Sequence, residues 1–299
     1  MATSIDPGLW QAVSQRAIED RKQELAPLNV FSHDYSSEIV TPSSTVSVNI
    51  IGAPSSVSQD VTADVDYSTD TSGSISNMSV QLNTRYSTRI EMNDVQIANL
   101  TGDTLAKFVD SMANDIDAKI ELGIFTDLLA ASDTTAAASG TLAFTDVVTA
   151  GTWASKNKFP RAGRSLIASP EAIATLLADE TVSKSFYTPT TADAIREGRV
   201  TRLAGFDVYE SLSISELDAL AFATTPSAVA VAARYLPDND AAVCYPIVAR
   251  NGLTYCAKLI AMPLYAKKYF VLEVLCGWKV IQSSDTDYRS LAITGTASE

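Results

Sequence analysis

The side chains that could carry out chemistry are few, and their spacing is typical of no common catalytic or metal site. His33 is the only histidine among 299 residues, and it lies in a polar stretch. Most zinc sites and most Ser–His or Cys–His catalytic arrangements need histidine beside other reactive side chains. The sequence also has no glycine-rich loop of the kinds that cradle phosphate groups. We therefore predict no cofactor, no metal site and no enzymatic activity.

Acidic pairs are the remaining chemical candidates. Four Asp-x-Asp pairs could present carboxylate oxygens to a hard cation, but none belongs to a complete calcium-binding loop motif. In a chain with a net charge of −13, such pairs are more typical of solvated surface. An acidic hydrolase that uses carboxylates alone is the alternative from a different functional class, and a stable monomer with a deep carboxylate-lined cleft would favour it. The pairs are Asp64/Asp66, Asp115/Asp117, Asp238/Asp240 and Asp285/Asp287.

The three cysteines, Cys244, Cys256 and Cys276, fit no zinc-binding spacing. An odd number spread over a long chain predicts small buried apolar residues in a reducing compartment. The N-terminus has no basic segment followed by an apolar run, and no apolar run approaches the roughly 18 residues of a membrane span. We expect the protein to be cytoplasmic where it is made.

Charge limits the possible partners. At a net charge of −13, avid binding to nucleic acid or to an anionic membrane is not expected, although an acidic protein can lie beside DNA. Charged residues make up 19% of the chain, below the typical value of about 25%. Serine and threonine occupy many of the positions that charge would otherwise fill. This composition fits a protein much of whose surface is covered by other chains.

A long helix is the element around which the rest is arranged. Helical spacing from Thr101 to Ala130 predicts a rod of about 45 Å, much longer than the average helix of about 11–12 residues. Such a rod must lie along a sheet or along another subunit. Its predicted apolar stripe is Leu105, Phe108, Val109, Met112, Ile116, Ile120, Ile124 and Leu128. Its predicted polar side is Lys107, Asp110, Asn114, Asp117 and Glu121.

A projecting hairpin precedes this helix. Val46, Val48 and Ile50 alternate with polar residues, and the alternation across residues 80–92 predicts a second, longer strand. Two strands joined by a polar tip have little core of their own, and an isolated hairpin is marginal in water. We therefore expect residues 45–93 to be held mainly by adjacent subunits. Proteases should then cut the tip, around residues 55–76, faster in free subunits than in assembled ones.

The other elements alternate irregularly, which predicts an α+β fold. Helices are predicted from Pro7 to about Leu25 and over residues 145–157, 170–179 and 226–236. Strands are predicted over residues 164–169, 219–223, 253–262, 269–281 and 288–294, with a hairpin over 199–211 that turns at Ala204-Gly205.

Four segments in order resemble the major capsid proteins of tailed double-stranded DNA bacteriophages, which have the Hong-Kong-97-like capsid fold. They are RSLIASPEAIATLLAD (164–179), GRVTRLAGFDVYES (198–211), LAFATTPSAVAVAARYLP (220–237) and YFVLEVLCGWKVI (269–281). The resemblance implies an N-terminal arm, an extended loop hairpin, a peripheral domain with a spine helix, an axial domain and return strands of the peripheral domain. The corresponding ranges are 1–44, 45–93, 94–161, 162–250 and 251–299.

The same resemblance implies a function and partners. The chain would self-assemble into hexamers and pentamers of an icosahedral head that encloses double-stranded DNA, in the virion and, during assembly, in the host cytoplasm. The short arm lacks the long charged assembly domain of some members, which implies a separate scaffolding protein. A portal and, where one is used, a cement protein would be further partners. An encapsulin-like compartment shell is the alternative within this fold, and a protein cargo would identify it.

Two arginines on the extended loop are the predicted intersubunit contacts. Residues 26–100 contain eight acidic residues and only two basic ones, Arg85 and Arg89. We expect both to pair with Asp110, Asp117 or Glu121 on the spine helix of a neighbour. Arg85→Glu should then block assembly while the subunit stays soluble.

The extended loop also lacks lysine. One well-known member of the resembled family locks its shell with isopeptide bonds between a loop lysine and an asparagine of a neighbouring subunit. That reaction needs a neutral amine, and arginine stays protonated. Because no lysine occurs between Lys22 and Lys107, we predict a non-covalent shell.

Overall fold

The computed structural model describes residues 7–19, 28, 30–31, 45–51, 75–99, 102–179, 202–235, 244–248, 253–262, 267–281 and 288–295. Its helices are α1 (Pro7–Glu19), α2 (Asp94–Ala98), α3 (Gly102–Ala131), α4 (Phe144–Lys156) and α5 (Pro170–Ala178). Among these helices, none combines the length and the apolar character that crossing a bilayer requires.

The strands alternate irregularly with the helices, and the predicted α+β class is confirmed. They are β1 (Thr45–Ile51), β2 (Ile75–Gln81), β3 (Thr84–Asn93), β4 (Asp133–Ala136), β5 (Ser165–Ala168), β6 (Arg202–Leu203), β7 (Phe206–Glu210), β8 (Ala221–Thr224), β9 (Val229–Arg234), β10 (Cys244–Val248), β11 (Thr254–Met262), β12 (Lys267–Val280) and β13 (Ser290–Thr294).

The long helix α3 lies where the apolar stripe predicted it, within one residue at each end. It packs along β12 and β3, and α1 packs against it. Phe108 departs from the predicted stripe, because its side chain is 39% exposed. The rest of the stripe is buried: Leu105, Val109, Met112, Ile116, Ile120, Ile124 and Leu128.

The first large sheet, here called the peripheral sheet, has the antiparallel order β10-β11-β12-β3, and β9 also pairs with β12. In β3 the even-numbered residues face α3 and the odd-numbered ones are exposed, as the alternation predicted. The even-numbered residues of β12 also contribute to the core with α3: Phe270, Leu272, Val274 and Cys276. The odd-numbered residues of both strands therefore lie on the opposite face.

The predicted hairpin is shorter than expected. β1 and β2 pair from Thr45↔Gln81 to Ile51↔Ile75 and form a two-stranded sheet. The single strand predicted over residues 80–92 is instead two strands, because the chain leaves the hairpin at Leu82–Asn83 and β3 pairs with β12 of the same chain. Residues 84–93 are therefore held by their own subunit, which corrects that part of the expectation. The predicted tip, apart from its last two residues in β2, lies outside the described residues.

The base of the hairpin is anchored on the face of the peripheral sheet opposite α3. Val80 and Leu82 pack there against Ala230, Ala232 and Leu275 in a small cluster of their own. This contact needs a glycine in β12. A Cβ on Gly277 would overlap the carbonyl oxygen of Gln81 and lie 2.7 Å from its carbonyl carbon. The hairpin base and the sheet thus meet backbone to backbone.

The second large sheet, here called the axial sheet, has the order β4-β13-β8-β5-β7-β6. One face carries Leu166, Ala221 and Ile293 and packs against α4 and α5. The other face packs against the C-terminal half of α3, where the Phe125 and Phe222 rings stack with centroids 5.6 Å apart. The helix α3 therefore contributes to the cores of both sheets.

Two local predictions in the axial region are confirmed. The hydroxyl of Ser169 accepts a hydrogen bond from the Ala172 amide at 3.2 Å and caps α5, which begins at Pro170. Ala204 and Gly205 turn the β6–β7 hairpin with φ angles of 47° and 92°. These values match a type I′ turn, which glycine favours.

The helix predicted over residues 226–236 is wrong. Only Pro226–Ala228 form a single 3₁₀ turn, and β9 follows. Alternating valine and alanine form this strand because both of its faces are covered. Val229 and Val231 face the core with α3, whereas Ala230 and Ala232 lie under the hairpin base, where only small side chains fit.

The predicted domain ranges stay a prediction, and strands of both sheets occur within several of them. β4 and β13 belong to the axial sheet, although residues 94–161 and 251–299 were assigned to the peripheral domain. β9 and β10 belong to the peripheral sheet, although residues 162–250 were assigned to the axial domain. The chain therefore crosses between the two sheets several times.

Candidate assembly surface

The described part of the chain contains no cluster of three or more His, Cys, Asp or Glu side chains that could hold a metal ion. Of the predicted acidic pairs, only Asp115/Asp117 lies within it, and its two carboxylates point to different places. Asp115 is exposed and accepts hydrogen bonds from Lys119 at 3.1 Å and Thr88 at 3.3 Å. Asp117 is buried and accepts one from the Tyr255 hydroxyl. The other three pairs and His33 lie outside the described residues.

Arg85 lies beside a carboxylate of its own chain. Its guanidinium forms an ion pair with Glu273 of β12, which is only 1% exposed, and Lys258 of β11 pairs with the same carboxylate. The Lys258 side chain is 8% exposed, whereas that of Arg85 is 54% exposed. These residues form a charge cluster on the sheet face opposite α3, in which Lys258 and Glu273 are buried and Arg85 is exposed.

This cluster changes the expected effect of Arg85→Glu. The substitution would place a second carboxylate beside buried Glu273 and would destabilise the subunit itself. Sequence reasoning missed Glu273 and Lys258 because it assigned no role to single charges inside apolar strands. That pattern, one Lys in TYCAKLIAM and one Glu in YFVLEVLCGW, was the available signal.

Arg89 lies farther along the same face and is exposed. Its guanidinium carbon is 5.4 Å from the centroid of the Tyr269 ring, within range of a cation–π contact. Nearby, the Lys267 ammonium donates a hydrogen bond to Glu91, which lowers the pKa of that carboxyl and raises the pKa of the lysine. This part of the surface is an exposed, mixed-charge edge of the peripheral sheet.

Two of the three predicted acidic partners face the interior of their own subunit. Asp117 binds Tyr255 as described above, and Glu121, 2% exposed, accepts hydrogen bonds from the hydroxyls of Ser211 at 3.1 Å and Ser213 at 3.3 Å. The predicted polar side of α3 therefore includes two side chains that are buried in their own subunit. Asp110 is half-buried. The pairing across subunits stays a prediction, and Arg89 and Asp110 are the residues whose positions still suit it.

The cysteines follow the prediction only in part. Cys276 is a free buried thiol, and burial, with a smaller contribution from the Asp117 charge, raises its pKa to about 12. It stays protonated and is a poor nucleophile. Cys256 differs from the prediction, because it is disulfide-bonded.

The features that carry assembly potential are the hairpin, α2 and the first turns of α3. Among the described strands, β1 and β2 pair only with each other, so their outer edges offer unpaired backbone groups. Val95 of α2 is 70% exposed, and Phe108, in the second turn of α3, is 39% exposed. A two-stranded sheet gains independent stability only from further packing. We call the hairpin, α2 and the first turns of α3 the assembly surface.

No family model and no curated protein matches this sequence. Solved structures do match in fold. A structure from Mycobacterium phage Che8 has a TM-score of 0.61 at 16% identity and covers 90% of this chain and 91% of its own. The capsid of the cyanophage P-SCSP1u has a TM-score of 0.61 at 11% identity, with 86% and 84% covered. The capsid of Ralstonia phage GP4 has a TM-score of 0.60 at 11% identity, with 90% and 88% covered.

Proposed function

We propose that this chain is a major capsid protein of a tailed double-stranded DNA bacteriophage, a self-assembling structural subunit of an icosahedral head. The observation that carries the proposal is the fold match to phage capsids over most of both chains. The role is structural and does not depend on catalysis.

The subunit's own geometry supports assembly. The base of the hairpin is held by Val80 and Leu82 against its own sheet. The strands continue beyond this anchor as a two-stranded ribbon, which needs additional packing to be stable. A neighbouring subunit would provide this packing in a closed shell. The helix α3 contributes to both cores and holds the two sheets together while the ribbon extends to the neighbour.

The proposed partners follow from this role. Copies of the chain form hexamers and pentamers, and a separate scaffolding protein, a portal and, where one is used, a cement protein complete the head. The net charge of −13 suits a shell wall that encloses DNA without specific binding. The protein is assembled in the host cytoplasm and resides in the virion.

The contents of purified particles test this function. Shells built from this chain should release double-stranded DNA on disruption, measured by nuclease sensitivity and gel mobility of the extracted material. A specific protein cargo in place of DNA would identify an encapsulin-like compartment and contradict the proposal.

The absence of lysine between Lys22 and Lys107 gives a further prediction. Mature particles boiled in SDS under reducing conditions should release a single band near 31.9 kDa, because no loop amine is present to form an isopeptide bond. Omitting the reductant is the control for disulfide links. A ladder of reduction-resistant multimers would show that another lysine crosslinks the shell.

A further inference from the structure

A cavity of about 430 Å³ lies between α4 and the β6–β7 turn of the axial sheet. Three arginines line it, Arg161, Arg164 and Arg202, together with small and polar residues that include Gly151, Ser155 and Gly205. None of the described residues that line it is acidic. We call this cavity the arginine pocket. It is an unusual concentration of positive charge in a chain with a net charge of −13.

Arg164 is the structural centre of the pocket. The residue is only 6% exposed. Its Nε donates to the Pro160 carbonyl at 3.0 Å, and Nη2 donates to the Phe159 carbonyl at 2.6 Å. Its Nη1 donates to the Ser155 hydroxyl at 3.2 Å and to the Gly151 carbonyl at 3.5 Å. All of these acceptors are neutral, so the guanidinium is fixed in place without a carboxylate among its hydrogen-bond partners.

A buried charge is costly unless an opposite charge accompanies it. The other two arginines add positive charge. Arg161 is exposed at the cavity. Arg202 lies 3.7 Å from Asp207, and both side chains are about half exposed, so solvent screens this pair strongly. The three guanidinium groups are therefore accompanied by one partly solvated carboxylate, that of Asp207. The net charge of these groups at the pocket is positive.

We propose that the arginine pocket binds an oxyanion group. Guanidinium groups form paired, charge-assisted hydrogen bonds with the oxygens of phosphate and carboxylate groups, which matches three arginines around one cavity. The oxyanion has two possible sources, a free inorganic anion or the carboxylate of an acidic side chain on an adjacent copy of this chain. The second source rests on the proposed shell function, whereas the first does not.

Titration calorimetry of free subunits with inorganic phosphate, at constant ionic strength, tests the site. We expect saturable binding in the millimolar range or tighter, which corresponds to a Kd of about 1 mM or below. The double variant Arg161→Gln/Arg202→Gln should weaken binding by about tenfold or more, because each lost guanidinium removes charge-assisted hydrogen bonds. Both residues are exposed, so the variant should fold, and its unfolding temperature in the absence of phosphate checks this.

Lys156→Gln is the matched control. Lys156 is an exposed cation in the last turn of α4 that does not line the pocket. Its variant should bind phosphate within about twofold of the wild type. An absence of saturable binding by the wild type at phosphate concentrations up to about 10 mM would overturn the proposal. An equal loss of affinity in the double variant and in the control would also overturn the proposal. Phosphate would then respond to the overall charge of the protein and not to the pocket.

The same titration on assembled shells separates the two sources. If a neighbour's carboxylate fills the pocket, phosphate binding seen in free subunits should fall by about tenfold or more in shells. Unchanged affinity in shells would assign the pocket to a free anion. The measurement on free subunits needs no shell. An absence of phosphate binding by free subunits therefore counts against the site alone, whereas an absence of shells counts against the proposed function alone.

Discussion

Glu273→Leu is expected to lower the free energy of unfolding of the subunit by about 3–5 kcal/mol. The carboxylate is 1% exposed and is shared by Lys258, itself nearly buried, and by Arg85. Its removal leaves the Lys258 ammonium buried without a counter-charge. This buried unpaired charge lowers the free energy of unfolding by more than the loss of the ion pair itself. Chemical denaturation of the soluble subunit, followed by circular dichroism, measures the change.

Two further variants make this prediction specific. Glu91→Leu removes the carboxylate of an exposed ion pair with Lys267 on the same face of the same sheet, and it should change stability little. Lys258→Met combined with Glu273→Leu should recover most of the lost stability, because no unpaired charge then remains buried. Equal effects of Glu273→Leu and Glu91→Leu would show that the cluster is solvated and unimportant for stability.

Gly277→Ala is expected to impair assembly more than folding. The new methyl group would overlap the Gln81 carbonyl, so the chain must move where the hairpin leaves the peripheral sheet. Overpacking of this kind typically costs about 1–3 kcal/mol. A ribbon displaced at its base would reach the neighbouring subunit in the wrong place, and the yield of shells should fall sharply in a sedimentation assay.

Gly151→Ala in α4 is the control for this substitution. A Cβ there would lie 3.6 Å from the Ala204 carbonyl oxygen and the Phe206 ring, which is ordinary contact. Alanine also suits a helix better than glycine, so stability should be unchanged or higher by up to about 1 kcal/mol. Normal shell yield and wild-type stability for Gly277→Ala would refute the importance of this close backbone contact.

Residue spacing and residue type predicted the elements that are specified by residues close together in the sequence. The apolar stripe of α3, the alternation in β3, the cap of α5 at Ser169 and the turn at Ala204-Gly205 all follow from spacing and residue type. In these cases the nearest neighbours in sequence determine the structure, so the sequence pattern is sufficient.

Prediction failed where partners distant in sequence determine the environment. Glu121 lies on the predicted polar side of α3, but it is buried and accepts hydrogen bonds from the hydroxyls of Ser211 and Ser213 of the axial region. β9 has the small residues of a helix, yet the hairpin base and α3 cover its two faces. The arginine pocket was not predicted either, because α4 and the β6–β7 turn come together only in the fold.

Negative-stain electron microscopy of the full chain, expressed alone and together with the proposed scaffolding protein, tests the central claim most directly. We expect closed round shells of uniform diameter with the proposed scaffold, and shells or ring-shaped capsomers of this chain without it. Monodisperse monomers under both conditions, with neither capsomers nor shells, would contradict the assignment of this protein as a capsid subunit.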